Sequence, residues 1–154
     1  MKVVGLIRYL PITDEQSLQD IELPKPNASG RDLLVKIYAV GVNPADTKVR
    51  KPKDKIEISP KVLGWDVRGI VKAIGDKVSQ YNVGDTLYYA GDITRQGCNA
   101  EYQLIDERIV GLAPQTLTHA QAAAMPLTTI IAWEALFERM KISQKSLTTL
   151  IKVF

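Results

Sequence analysis

The residues able to do chemistry in this chain fall into three short stretches. GVNPADTKVR places an amide at Asn43, a carboxylate at Asp46 and a guanidinium at Arg50. LGWDVRG offers Trp65, Asp66 and Arg68, and YYAGDITRQGCNAEY offers Tyr88, Tyr89, Arg95 and Cys98. An asparagine amide can donate to a carbonyl oxygen that is gaining negative charge. Asn43-Pro44 and Asp46 also suit a plain turn, because these side chains bond their own backbone. Catalytic zinc needs three Cys, His or carboxylate ligands aimed at one point. The chain has one cysteine, Cys98, and one histidine, His119. An internal disulfide and a multi-cysteine zinc site are therefore excluded. Asp46 and Asp66 are hard oxygen donors, suited to magnesium or calcium rather than zinc. No metal is expected.

These stretches need a scaffold, and the hydrophobic pattern describes one. VVGLI and SLQDIEL open the chain as short strands. NASGRD is a turn cluster before LLVKIYAVGV, which reads as a strand. GIVKAIG, DTLYYAG, AEYQLID and RIVGLA follow as four more strands, punctuated by Gly75-Asp76, Gly84-Asp85 and Gly91-Asp92. Many short strands at this spacing imply a barrel or sandwich. KVRKPKDKIEISPK, polar and basic, is expected to be a solvated surface loop. After Pro114 the pattern changes. Thr118 is a plausible N-cap for an alanine-rich helix that Pro126 interrupts. PLTTIIAWEALFERM then spaces Ile130, Trp133, Phe137 and Met140 as a helix does. A last strand is expected from Leu147 to Phe154.

The 154 residues suit one globular domain, with 45% hydrophobic and 24% charged residues. A net charge of +3 is too weak to argue for nucleic acid or an anionic membrane. Arg8 and Asp14 interrupt the run that a signal peptide would need, and no window is long enough to span a bilayer. A cytosolic protein is expected.

AVGVNPADTKVR, LGWDVRGIVKAIGDKVSQYNVGDTLYY and NAEYQLIDERIVGLAPQTLTHAQAAAMPLTTIIAWEAL, in that order and spacing, resemble the N-terminal, GroES-like domain of medium-chain dehydrogenases and reductases. The subgroup they resemble is the quinone-oxidoreductase branch, often labelled zinc-type alcohol dehydrogenase-like. The resemblance implies a mainly β, GroES-like partial barrel with two C-terminal helices and the first strand of an absent Rossmann domain. It divides the chain into a GroES-like domain, 1–125, and a segment, 126–154, leading into a missing nucleotide-binding domain. A truncated product or a single-domain piece is expected, since no G-x-G-x-x-G is present to cradle a dinucleotide pyrophosphate.

Function and site roles follow from the same resemblance. The intact enzyme would use NAD(P)H to reduce a quinone or an activated carbonyl, without zinc. Zinc-using relatives place a cysteine at Asn43 and a histidine-glutamate pair at Trp65-Asp66. Asn43, Asp46 and Asp66 are the implied catalytic residues. Asn43, Arg50, Thr128 and Thr129 are implied near the cofactor, although Ile131 replaces a threonine found there in the family. Trp65, Tyr88, Tyr89 and Arg95 are implied along the substrate cleft. Other roles stay open at several positions. Arg50 can belong to the basic loop, and Trp65 and the tyrosines can simply pack. Asp66 can pair an arginine or cap a turn, and Arg68 can pair a nearby carboxylate. This chain alone is expected to bind no cofactor and to be inactive. The alternative is a non-catalytic module that docks a partner through its C-terminal helix and strand. A homodimer through that end is the expected assembly.

Overall fold

A computed structural model describes residues 1–143. The strand expected from Leu147 lies outside the described residues, as does the dimer contact built on it. Eight strands and three short α-helices are described: β1 Lys2–Tyr9, β2 Gln19–Glu22, β3 Asp32–Gly41, α1 Pro44–Arg50, β4 Lys53–Val62, β5 Asp66–Ile74, β6 Thr86–Ala90, β7 Tyr102–Asp106, β8 Gly111–Leu112, α2 His119–Ala123 and α3 Pro126–Trp133. A turn of π-helix, Glu134–Arg139, continues α3.

The strands form two antiparallel sheets, one ordered β2-β1-β4 and the other β7-β3-β5-β6-β8. A bridge between Val3 and Ala100 and a bond from the Val4 N–H to the Asn99 carbonyl tie the sheets together. This is the expected mainly β, partial-barrel body. Alternation explains its core. Leu33, Val35, Val67, Val71, Leu87, Tyr89 and Ile105 point to one side of the five-stranded sheet, where they pack with Cys98. Leu6, Tyr9, Leu63 and Trp65 form a second cluster.

Two expectations fail locally. The segment expected to be a basic loop is α1 followed by β4. Among the described residues, strand β4 lies on the sheet edge and pairs only with β1, so Lys53 and Lys55 stay exposed while its backbone still bonds. Those lysines, Pro60 and an irregular register are the devices that protect an edge from stray pairing. Similarly, RIVGLA is not one strand. Its first residues form the 3₁₀ turn Glu107–Ile109, and only Gly111–Leu112 pairs, with β6. The Glu107 carboxylate is bonded to the Ser79 and Gln80 N–H groups, and this holds the chain out of the ladder.

The helices form where the sequence places them. The Thr118 hydroxyl accepts from the Gln121 N–H, and the Gln121 side chain accepts from the Thr118 N–H. This reciprocal cap starts α2. Pro126 starts α3 at the position where a missing N–H costs nothing. Both helices lie against the five-stranded sheet. Their close approach depends on Gly41, where a Cβ would stand 2.5 Å from the Ala123 carbonyl oxygen. Among the described residues, no helix is long and apolar enough to cross a membrane.

Candidate functional site

The site forms where β3 ends, β5 begins and α3 starts. Gly41 pairs with Asp66 in the ladder, so the chain leaving β3 must turn beside the Asp66 side chain. Asn43 makes that turn. Its backbone N–H donates to Asp46 Oδ2 at 2.7 Å, and the Asp46 N–H donates back to the Asn43 carbonyl at 3.0 Å. The expected turn role is therefore present. The side chain is left free for other work, and its Nδ2 donates to Asp66 Oδ2 at 2.8 Å. From the other side, the Leu127 N–H in the first turn of α3 donates to Asp66 Oδ1 and Oδ2 at 3.2 and 3.3 Å. A helix N-terminus presents unpaired N–H groups and a positive dipole end, and a carboxylate suits both. Asp66 thus meets an asparagine and a helix start, neither an arginine nor its own turn.

Burial sets the electrostatics. Asp66 is 2% exposed. Loss of water pushes its carboxyl above the usual aspartate range, the Asn43 and Leu127 donors pull back, and the Asp46 charge adds to the rise. Burial likewise pushes the Cys98 thiol up, with the Asp46 charge behind it. Cys98 is therefore a packed thiol and not a nucleophile. Asp46 Oδ1 is buried and has no partner among the described residues.

Trp65 immediately precedes β5 and Asp66 opens it, and the two side chains meet different neighbours. Trp65 enters the second core cluster, and its indole N–H donates to the Asp92 carbonyl at 3.1 Å. Of its two open roles, packing is the one observed. Tyr88 and Tyr89 differ in burial. Tyr89 is buried, with its hydroxyl donating to Gln103 Oε1 at 2.9 Å. Tyr88 is less buried and lines a cleft of about 200 Å³ with Pro126, Thr129 and Ile130, and Tyr89 reaches the same cleft. Thr129 thus borders this cleft, whereas the Thr128 hydroxyl donates to the Ala124 and Met125 carbonyls in its own helix.

Two of the expected residues lie elsewhere. Arg50 Nη2 donates to the Leu10 carbonyl at 2.9 Å, drawn toward β1 rather than Asn43. Arg95 forks onto Asp32 at 2.8 and 2.9 Å and lines a different, larger cleft. Arg68 finds no carboxylate. It meets His119 Nδ1, and the His119 ring stacks on Tyr38 at 5.0 Å between centroids. The group that sequence reasoning missed is the Leu127 N–H. Pro126 was its signal, because a proline at the first helical position marks a helix start whose next N–H is unpaired.

The donor set does not fit zinc. Among the described residues no three His, Cys, Asp or Glu side chains gather at one point. Asn43 is an amide, Trp65 is turned into the core, and His119 is taken by Arg68. The Asn43 amide and the first turn of α3 meet at the Asp66 carboxylate.

Known proteins resemble this chain in sequence and in fold. A zinc-type alcohol dehydrogenase-like protein of Staphylococcus epidermidis is 40% identical over 146 residues, which is 94% of this chain and 43% of that protein. A mitochondrial NAD(P)H oxidoreductase of Dictyostelium discoideum is 32% identical over 139 residues, 87% of this chain and 39% of that protein. A crystal structure from Rhizobium etli, described as a zinc-dependent alcohol dehydrogenase, superposes with a TM-score of 0.86 at 53% identity, covering 92% of this chain and 41% of that one. The chain therefore spans less than half the length of these relatives. The alcohol dehydrogenase GroES-like domain model matches residues 29–132, and the chain belongs to that family, as an N-terminal domain of the medium-chain dehydrogenases and reductases.

Proposed function

We propose that this chain forms the substrate-side wall of a cytosolic, zinc-independent oxidoreductase that reduces a quinone or an activated carbonyl with NAD(P)H. The observation that carries the reading is the Asn43–Asp66–Leu127 arrangement. A bound nicotinamide would supply the hydride. Asn43 does the polarising. An amide has two N–H groups, and Asp66 engages one of them, so the other can donate to an acceptor oxygen as charge develops on it. Asp66 is a positioning residue, fixing the amide against the start of α3. Asp46 holds the turn through one carboxylate oxygen. Tyr88 and Thr129 line a cleft that reaches Pro126 at the start of α3. Arg50 keeps only the role of bracing β1.

The second reading, a docking module, is favoured by the outer face of the last helix. Ile130, Ile131 and Trp133 are 53, 57 and 55% exposed, and such an apolar run marks a surface that something covers. On the first reading the cover is the cofactor domain of the same enzyme.

The test joins this chain, in register, to the remaining length of the Staphylococcus epidermidis relative. The chimera is expected to oxidise NADPH with a naphthoquinone and to keep that rate in EDTA. Asn43→Ala is expected to lower kcat on the order of 10²-fold. The isolated chain is expected to show neither saturable NADPH binding nor turnover. A chimera that folds and binds NADPH but reduces neither quinones nor enones overturns the reading. So does an unchanged kcat in Asn43→Ala.

A further inference from the structure

A second cleft, larger than the one that Tyr88 borders, is lined by different residues. It has a volume of about 540 Å³ and opens between the N-terminal segment, the loop carrying Thr94 and Arg95, and β7. That volume is within the usual range for a small-molecule site, about 300–1,000 Å³. No residue lines both this cleft and the smaller one that Tyr88 borders.

Its chemistry is set by which wall groups are already engaged. Arg95 is a fork whose two arms hold the two Asp32 oxygens, so its charge is matched within the protein. Gln103 donates to the Gln96 carbonyl at 3.0 Å and accepts from the Tyr89 hydroxyl at 2.9 Å. Gln96 donates to the Pro60 carbonyl at 2.9 Å and accepts from the Val62 N–H at 2.8 Å. The Thr94 hydroxyl donates to Asp92 at 2.7 Å. An anion entering here would have to compete with Asp32 for Arg95. The remaining wall is Met1, whose ammonium donates to the Leu23 carbonyl at 2.6 Å, Tyr102, and carbon from Leu23, Pro24, Pro26, Val62 and Leu104. Prolines and an interlocked polar rim also make the cleft rigid, and little ordering is needed when a ligand enters.

We propose that this cleft binds an uncharged, ring-sized apolar molecule, at a site separate from Asn43 and Asp66. The match of an apolar wall to an apolar ring supplies the affinity. The Arg95–Asp32 pair supplies the selectivity against anions. The inference does not depend on the proposed reaction, because none of its residues belongs to that site.

Two fluorescent probes test it on the full chain. N-phenyl-1-naphthylamine is neutral, and 8-anilinonaphthalene-1-sulfonate is an anion of similar shape. The neutral probe is expected to bind saturably with one site per chain, and the sulfonate roughly tenfold more weakly. Leu104→Trp fills the cleft and is expected to weaken the neutral probe roughly tenfold. Thr94→Trp does the same from an exposed position, so it reads the cleft even if Leu104→Trp does not fold. Ile130→Glu, on the exposed helix face, is expected to leave binding unchanged. Nuclear Overhauser contacts from the bound probe to the Leu23 and Leu104 methyls give an independent position. The proposal is overturned if the neutral probe does not bind, or if the sulfonate binds as tightly. It is overturned equally if Thr94→Trp has no effect, or if Ile130→Glu removes the binding.

Discussion

Asp66 and Glu107 are both buried carboxylates, at 2% and 0% exposure, yet the protein treats them in opposite ways. Glu107 receives N–H donors from Ser79 and Gln80, each at 2.9 Å, and the Arg31 guanidinium at 2.7 Å. Those bonds favour the charged form and hold its carboxyl below the usual glutamate range. Asp66 receives one amide at 2.8 Å and one N–H shared between its two oxygens at longer range, with no cation. Burial wins there, and its carboxyl is held above the usual range. Burial alone does not set the charge state of a buried acid; the number and charge of the donors do. Glu107 is a clamp with its bonding satisfied. Asp66 is under-compensated, and that is the condition in which a neighbouring ligand can change its state.

The sharpest way to break this comparison is to remove the clamp. Glu107→Ala leaves two N–H groups unpaired and takes the partner from Arg31, so the melting temperature is expected to fall on the order of 10 °C. Circular dichroism at neutral pH measures it. A drop of only a degree or two would mean that Glu107 holds nothing together.

Asp66→Asn is expected to cost less, about 2–5 °C, because fewer and longer bonds are lost. Its effect is local. The Leu127 amide, left with at most one neutral acceptor oxygen in place of a carboxylate, should exchange with solvent faster than in the unsubstituted chain, as read by hydrogen-exchange NMR. Equal protection of Leu127 in both proteins would remove Asp66 from the role of anchoring that helix.

The smallest expected effect is on acid stability, and here the two carboxylates have opposite signs. The Glu107 carboxyl is lower in the folded chain than in the unfolded one. Its contribution is present above the unfolded value of about 4.3 and is lost as pH falls through the folded value. The Asp66 carboxyl is higher in the folded chain. Its charge opposes folding above the folded value, and that penalty disappears as pH falls below the unfolded value of about 3.9. A carbon-13 titration of the two side chains, following the carboxyl carbons from pH 7 downward, should show the Asp66 midpoint displaced upward and the Glu107 midpoint displaced downward from the ordinary values of their residue types. Displacement of either in the opposite direction would contradict the account of that site.

Much of this was readable from residue type and period alone. The apolar alternation of LLVKIYAVGV and GIVKAIG specifies β3 and β5. Thr118 and Pro126 specify two helix starts, because hydroxyl caps and first-turn prolines act within a few residues of themselves. Asn43-Pro44 announced a turn for the same local reason. Strand β4 was not readable: a polar edge strand is held by backbone bonds to β1, and no apolar period records them. The partners of Arg50, Arg68 and Arg95 were equally hidden. Each long cationic side chain could reach several acceptors, and only the folded surroundings chose Leu10, His119 and Asp32.

The sequence by itself determined the mainly β body, the two helix starts, the shortage of zinc ligands and the family resemblance, since each rests on residue type, order or short spacing. The tertiary structure alone decided which charges are satisfied. Asp66 meets Leu127 across 61 intervening steps of chain and Glu107 meets Arg31 across 76. Such meetings depend on how sheets and helices pack, and packing decides whether a buried carboxylate becomes a clamp or a site.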